Sequence, residues 1–188
     1  MKKLSELVEI RSGYTFRSSI DSFDAGDTEV IQAKDLNPDY GTTPRPKINF
    51  PGENKHLLQP GEIIVSARGY SKAVLFHNRT LKAVASSSLF VLTPKSHGIS
   101  PEFITMYLNS SHGVKAVFEL SSGAALRSIT KENLGQILIP EIPPDKERAL
   151  GRAVQAIDDY RALIIEKETE LGNIREAIID KTLKETTR

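Results

Sequence analysis

The sequence predicts an α+β domain followed by one long helix, and three observations carry that prediction. Leu150, Ile157, Ile164, Leu171 and Ile178 recur every seven residues after the proline pair Pro143-Pro144, which is the period of an apolar seam on a helix. The residues ahead of that point lack heptads. They hold short apolar runs, such as Ile63-Ile64-Val65 and Leu89-Phe90-Val91-Leu92, bounded by Gly, Pro, Asn and Ser, as strands are. Ser100-Pro101-Glu102 then combines a capping serine, a proline at the first helical position and an acid in the first turn, so helices are mixed with the strands. The predicted organisation is a globular part over 1–140, with an irregular antiparallel sheet and short helices, and a long coiled-coil helix over 141–188.

In chain order, Leu4 to Ile10 suits a short strand or a helical turn, and Arg11 to Phe16 a turn bearing two aromatics. Val30-Ile31-Gln32-Ala33 reads as a strand, and 37–54, rich in Pro, Asn and Gly, as a long loop. Gln59-Pro60-Gly61-Glu62 is a turn that launches a strand over Ile63 to Ala67. After Arg68-Gly69-Tyr70-Ser71 the chain returns as a strand over Lys72 to Phe76, followed by strands at Ala83 to Ala85 and Leu89 to Thr93. Helices are expected from Pro101 through Leu108, from Gly113 to Leu120, and over Lys131 to Leu134 behind the cap Thr130. Gln136 to Pro140 reads as a last strand. The final helix opens at Pro144 with Asp145 and Glu147 in its first turn and runs to about Lys184.

The 188 residues include no cysteine and no run of 18 apolar residues, so disulfides, thiol chemistry and a membrane-spanning helix are all excluded. The N-terminus turns acidic before any hydrophobic stretch, and without an export signal the cytoplasm is the expected compartment. A net charge of +1 conceals an asymmetry: residues 34–95 hold nine basic and four acidic residues, whereas 141–188 hold nine basic and eleven acidic. A basic middle suits phosphate contact as well as a solvated surface. No nucleotide-binding glycine motif is present, and His56, His77, His97 and His112 are scattered without metal-ligand spacing. The residues favour binding and scaffolding over catalysis.

The order of motifs resembles the specificity (S) subunit of a type I restriction-modification system, in a half-length form. Six segments carry the likeness: Leu4 to Ile10 leading into Gly13-Tyr14-Thr15-Phe16; Val30 to Leu36; Pro60 to Gly69, with Glu62 in place of the family's usual aspartate; Ile99 to Phe103; Leu108-Asn109-Ser110; and Ile137 to Pro144. Glu147-Arg148 stand where the family usually carries Glu-Gln. The resemblance implies a DNA target-recognition domain over 1–140. It implies that 141–188 serves dimerisation and docking of methyltransferase (M) subunits, with restriction (R) subunits as further partners. S-adenosylmethionine is then expected on the M subunit, and no cofactor on this chain.

On that footing the DNA-contacting candidates are Lys34, Arg45, Lys47, Arg68, Tyr70, Lys72, Arg79, Lys82, Ser86, Ser87, Gly123 and Arg127. Arg68, at a strand end beside Gly69 and Tyr70, suits bidentate reading of guanine, and the other basic residues suit phosphate contacts. Serine and glycine loops add backbone donors. The dimerisation candidates are Leu150, Val154, Ile157, Ile164, Leu171, Ile174 and Ile178. A parallel pair of such helices would set Arg161 against Arg161 and Glu168 against Glu168, so the expected homodimer is antiparallel. Two other readings are a coiled-coil adaptor whose head binds protein, and an enzyme with cryptic catalytic residues.

Overall fold

The computed structural model describes residues 1–17, 26–36, 45–68, 72–78, 80, 82–95, 100–123 and 127–186. They form two units, Met1–Glu147 and Arg148–Arg188.

In the first unit, β1 (Lys2–Lys3) leads into a short helix α1 (Leu4–Leu7) and then β2 (Val8–Ser12). The Leu4 to Ile10 segment therefore divides, because Leu4 and Leu7 lie one helical turn apart and both are buried, whereas Val8 and Ile10 alternate inward as a strand. Next come β3 (Thr28–Ile31), a 3₁₀ turn over Ala33–Leu36, β4 (Lys47–Ile48) and a second 3₁₀ turn over Asn54–His56. The expected loop over 37–54 thus contains a strand, and its residues 37–44 lie outside the described residues. β5 (Ile63–Ser66), β6 (Ala73–Leu75), β7 (Lys82–Ala85) and β8 (Leu89–Pro94) follow. Helices α2 (Pro101–Asn109), α3 (Ser111–Leu120) and α4 (Lys131–Gln136) precede β9 (Leu138–Ile139) and the long α5 (Pro144–Thr186). The last expected strand shortens at its start because Gln136 closes α4.

The described strands make three sheets, ordered β1-β9, β2-β8-β5-β6 and β4-β3-β7. Pairing is antiparallel throughout except between β3 and β7. β5 and β8 are buried on both faces. Ile63, Val65, Phe90 and Leu92 point into a core shared with α1, α2 and α4, while Ile64, Leu89 and Val91 point into a second core with Ile31, Leu58 and Phe76. That two-sided burial accounts for the continuous apolar runs Ile63-Ile64-Val65 and Leu89-Phe90-Val91-Leu92 within them. A buried carboxylate ties the layers together. Glu62 accepts from Arg11 Nη2 at 2.9 and 3.1 Å, from Thr93 Oγ1 at 2.7 Å and from the Gln59 N–H at 2.8 Å. It is fully satisfied, as a buried charge must be.

The helix starts follow their caps. Ser100 Oγ accepts from the Phe103 N–H, Ser110 Oγ from the Gly113 N–H and Thr130 Oγ1 from the Asn133 N–H, each at 3.2 Å. α5 spans 43 residues, about 65 Å of rod. Its first turn belongs to the first unit, where the buried carboxylate of Glu147 accepts a hydrogen bond from the Ser100 N–H.

Candidate nucleic-acid interface

Three distant segments meet at the end of β5. The Ala67 N–H donates to the Ser88 carbonyl, and the Ala67 carbonyl accepts from the Ile129 N–H, both at 3.0 Å. Arg68 and Ser122 each bridge to Ser128, and Ser122 and Ser128 exchange backbone hydrogen bonds of 3.0 and 2.9 Å. The turn at 86–88, the end of β5, Ser122 and the Ser128-Ile129 pair are thereby held together. The structure thus gathers Arg68, Ser86, Ser87, Gly123 and Arg127, which the sequence spreads over 60 residues.

Each has a distinct local environment. The backbone of Arg68 is held by Ser66, whose hydroxyl donates to its carbonyl at 2.7 Å, while its side chain is exposed. Gly123 has φ of 110°, a left-handed conformation that a Cβ would strain. Ser87 stands exposed at the turn, but Ser86 is buried and its Oγ lies 2.9 Å from Ser88 Oγ. Gly13 backs onto that turn so closely that a Cβ there would come within 2.1 Å of the Ser86 carbonyl oxygen. Arg127 lies over the ring of Phe118, 3.8 Å from its centroid. Its Nη1 donates to the Phe118 and Ser121 carbonyls at 3.2 and 3.4 Å. Lys72 precedes β6, its carbonyl accepting from the Ser66 N–H at 3.0 Å. Tyr70 and Arg79 lie outside the described residues.

A second basic group flanks β3. Lys47 on β4 stands opposite Glu29, and Lys82 on β7 opposite Thr28. Here the cations are engaged by acids. Lys82 Nζ lies 2.5 Å from Asp27 Oδ2, and Arg45 Nη1 lies 3.5 Å from Glu29 Oε2. The Lys82 ammonium and the Thr28 hydroxyl hold the Asp27 carboxyl below its ordinary range. Lys34 is exposed on the 3₁₀ turn after β3. The sequence reading left out Phe118, whose helical position suggests core, and the cluster in which Tyr14 meets Phe16, Phe50 and His56 edge-on at 4.9, 4.9 and 5.3 Å.

In the second unit the seam residues face outward. Leu150, Ile157, Ile164, Leu171, Ile174 and Ile178 are between 40% and 65% exposed, and Val154 is half-buried. Tyr160, Leu163, Ile165, Ile179 and Leu183 add to this exposed apolar surface. Among the described residues no helix is long and apolar enough to cross a membrane, and no cluster of three His, Asp or Glu side chains has metal-binding geometry.

No curated protein sequence matches the chain. Solved structures do. One is the type I restriction-modification S subunit from M. genitalium, 13% identical with a TM-score of 0.59 over 84% of this chain and 38% of that one. A second is the HsdS subunit from Thermoanaerobacter tengcongensis, 24% identical with a TM-score of 0.59 over 85% and 37%. A third, from work on complex assembly and conformational transition of the type I R-M system, is 24% identical with a TM-score of 0.63 over 96% and 44%. The chain thus spans less than half the length of each solved chain it matches. Those likenesses establish the fold. Residues 1–173 match the family described as the type I restriction modification DNA specificity domain, and the chain belongs to that family.

Proposed function

We propose that this chain is the DNA-reading subunit of a type I restriction-modification complex, acting as an antiparallel homodimer that directs methyltransferase subunits to a bipartite, inverted-repeat site. The observation that carries the reading is the convergence of Arg68, Ser87, Gly123 and Arg127 at the end of β5. It sets two exposed arginines and a serine-bearing turn on one patch of a DNA specificity domain. In this reading Arg68 contacts a base edge, while Lys34, Arg45, Lys47, Lys72 and Lys82 contact phosphates. Residues 1–140 recognise the target, and 141–188 join the two copies and receive the M subunits.

Chemistry lies with the partner. The M subunit binds S-adenosylmethionine and transfers its methyl group to adenine, and an R subunit, where one is encoded, adds cleavage. The complex works in the cytoplasm, where the DNA is. The exposed seam of α5 supports the dimer, because apolar surface of this extent on a helix calls for a partner. The reading is tested by gel shift of the purified chain on duplex DNA at low and high salt. The expected result is weak binding that falls steeply with salt, with no methyl transfer by the chain alone. A chain that ignores DNA, or that methylates it unaided, contradicts the proposal.

A further inference from the structure

We infer that Arg127 and Phe118 form one base-reading unit, in which Phe118 is a positioning residue that presents the Arg127 guanidinium to a base edge. The inference rests on the proposed function and deepens it. Phe118 is 55% exposed, although it belongs to the unit with two apolar cores. An aromatic ring left in water gains little from burial, so its place must be explained by what it touches. What it touches is the guanidinium of Arg127, 3.8 Å above the ring.

Arg127 is restrained from two further directions. Its Nη1 donates to the Phe118 and Ser121 carbonyls at the C-terminal end of α3, where the helix dipole favours a cation. With one face on the ring and one nitrogen on the backbone, the guanidinium is held in a single plane. Its Nη2 and Nε have no partner among the described residues. Those two nitrogens form the flat two-donor edge that matches O6 and N7 of guanine. A phosphate contact does not require such restraint, because a point charge on a flexible stem, as in lysine, also binds phosphate. Arg68 bridges to Ser128, the next residue in the chain, so two exposed arginines lie on neighbouring backbone segments. Neither has an acidic partner among the described residues. The pair is suited to reading two positions of one half-site.

The test uses the chain co-expressed with its methyltransferase, mapping modified adenines and comparing rates on single-base variants of the site. Phe118→Leu and Arg127→Lys should relax the same position. The lost discrimination should lie within the roughly 5- to 150-fold that one bidentate contact supplies. Phe118→Tyr, which keeps the ring, should retain the wild-type motif, and Arg68→Ala should relax a different position. The salt dependence of non-specific binding should stay at the wild-type slope in Phe118→Leu. An unaltered motif in Phe118→Leu and Arg127→Lys overturns the inference, as does equal weakening on all sequences. Where circular dichroism shows Phe118→Leu unfolded, the contrast between Arg127→Lys and Phe118→Tyr decides the matter by the same criterion. A wild-type complex that modifies no defined motif instead contradicts the proposed function.

Discussion

Lys82 illustrates how a cation chosen from sequence acquires a competitor in the fold. Its ammonium lies 2.5 Å from Asp27, a residue 55 positions away. Nothing in the local sequence links the two, because β3 and β7 pair only through tertiary structure. If Lys82 contacts phosphate, Asp27→Asn should release it, strengthening non-specific DNA binding and steepening the log–log salt slope by about 0.9. Lys82→Ala, which removes the contact altogether, should show a slope about 0.9 flatter than that of Asp27→Asn. Salt titrations by fluorescence anisotropy check both, and identical slopes in the two variants would remove Lys82 from the interface. The pair also has a pH signature. Asp27 titrates lower in the folded chain than its ordinary value, so its stabilising contribution is present above about pH 4 and is lost as pH falls through the folded value. The effect is small because both groups are exposed. Arg68 was more legible, since a strand end meeting a glycine turn is a local pattern. Its approach to Arg127 was not, because it depends on the bridge between Arg68 and Ser128.

The elements divide along the same line. α2 and α4 were visible because Ser100 and Thr130 are local caps whose side chains accept from the N–H three residues on. The two-residue strands β1 and β4 were not legible: no periodicity exists in so short a segment, and each owes its existence to its partner. Glu147 lies between these cases. It reads as a first-turn acid on α5, yet its buried carboxylate accepts from the Ser100 N–H at the start of α2. Glu147→Ala should therefore cost about 1.5–3 kcal/mol, as hydrogen bonds to charged groups do. Urea unfolding followed by circular dichroism measures it, and a cost within about 0.5 kcal/mol, typical of a surface change, would deny the bond its role. Further along α5, Ile164 is 43% exposed on the seam. Under the proposed dimer Ile164→Asp should yield monomers, because it places a charge inside an apolar contact. Light scattering at micromolar concentration reads this out, and a wild-type chain that is itself monomeric contradicts the dimer.

At the scale of the whole molecule, the net charge of +1 says little, whereas its distribution says more: the basic excess lies in 34–95 and the acidic excess in 141–188. In the proposed assembly the basic segment meets DNA and the helix meets protein. Two-fold symmetry then imposes a constraint on the target, because identical recognition domains facing in opposite senses read identical, inverted half-sites. Rods of about 65 Å hold the two domains apart, so the half-sites should be separated by unread base pairs, with centres about 34 Å apart or somewhat more. The spacer should be fixed in length and free in sequence. The most direct test is to co-express the chain with its methyltransferase and map modified adenines by single-molecule sequencing. The proposed function predicts adenine methylation within an inverted repeat interrupted by a spacer of constant length; a continuous or asymmetric motif would contradict it.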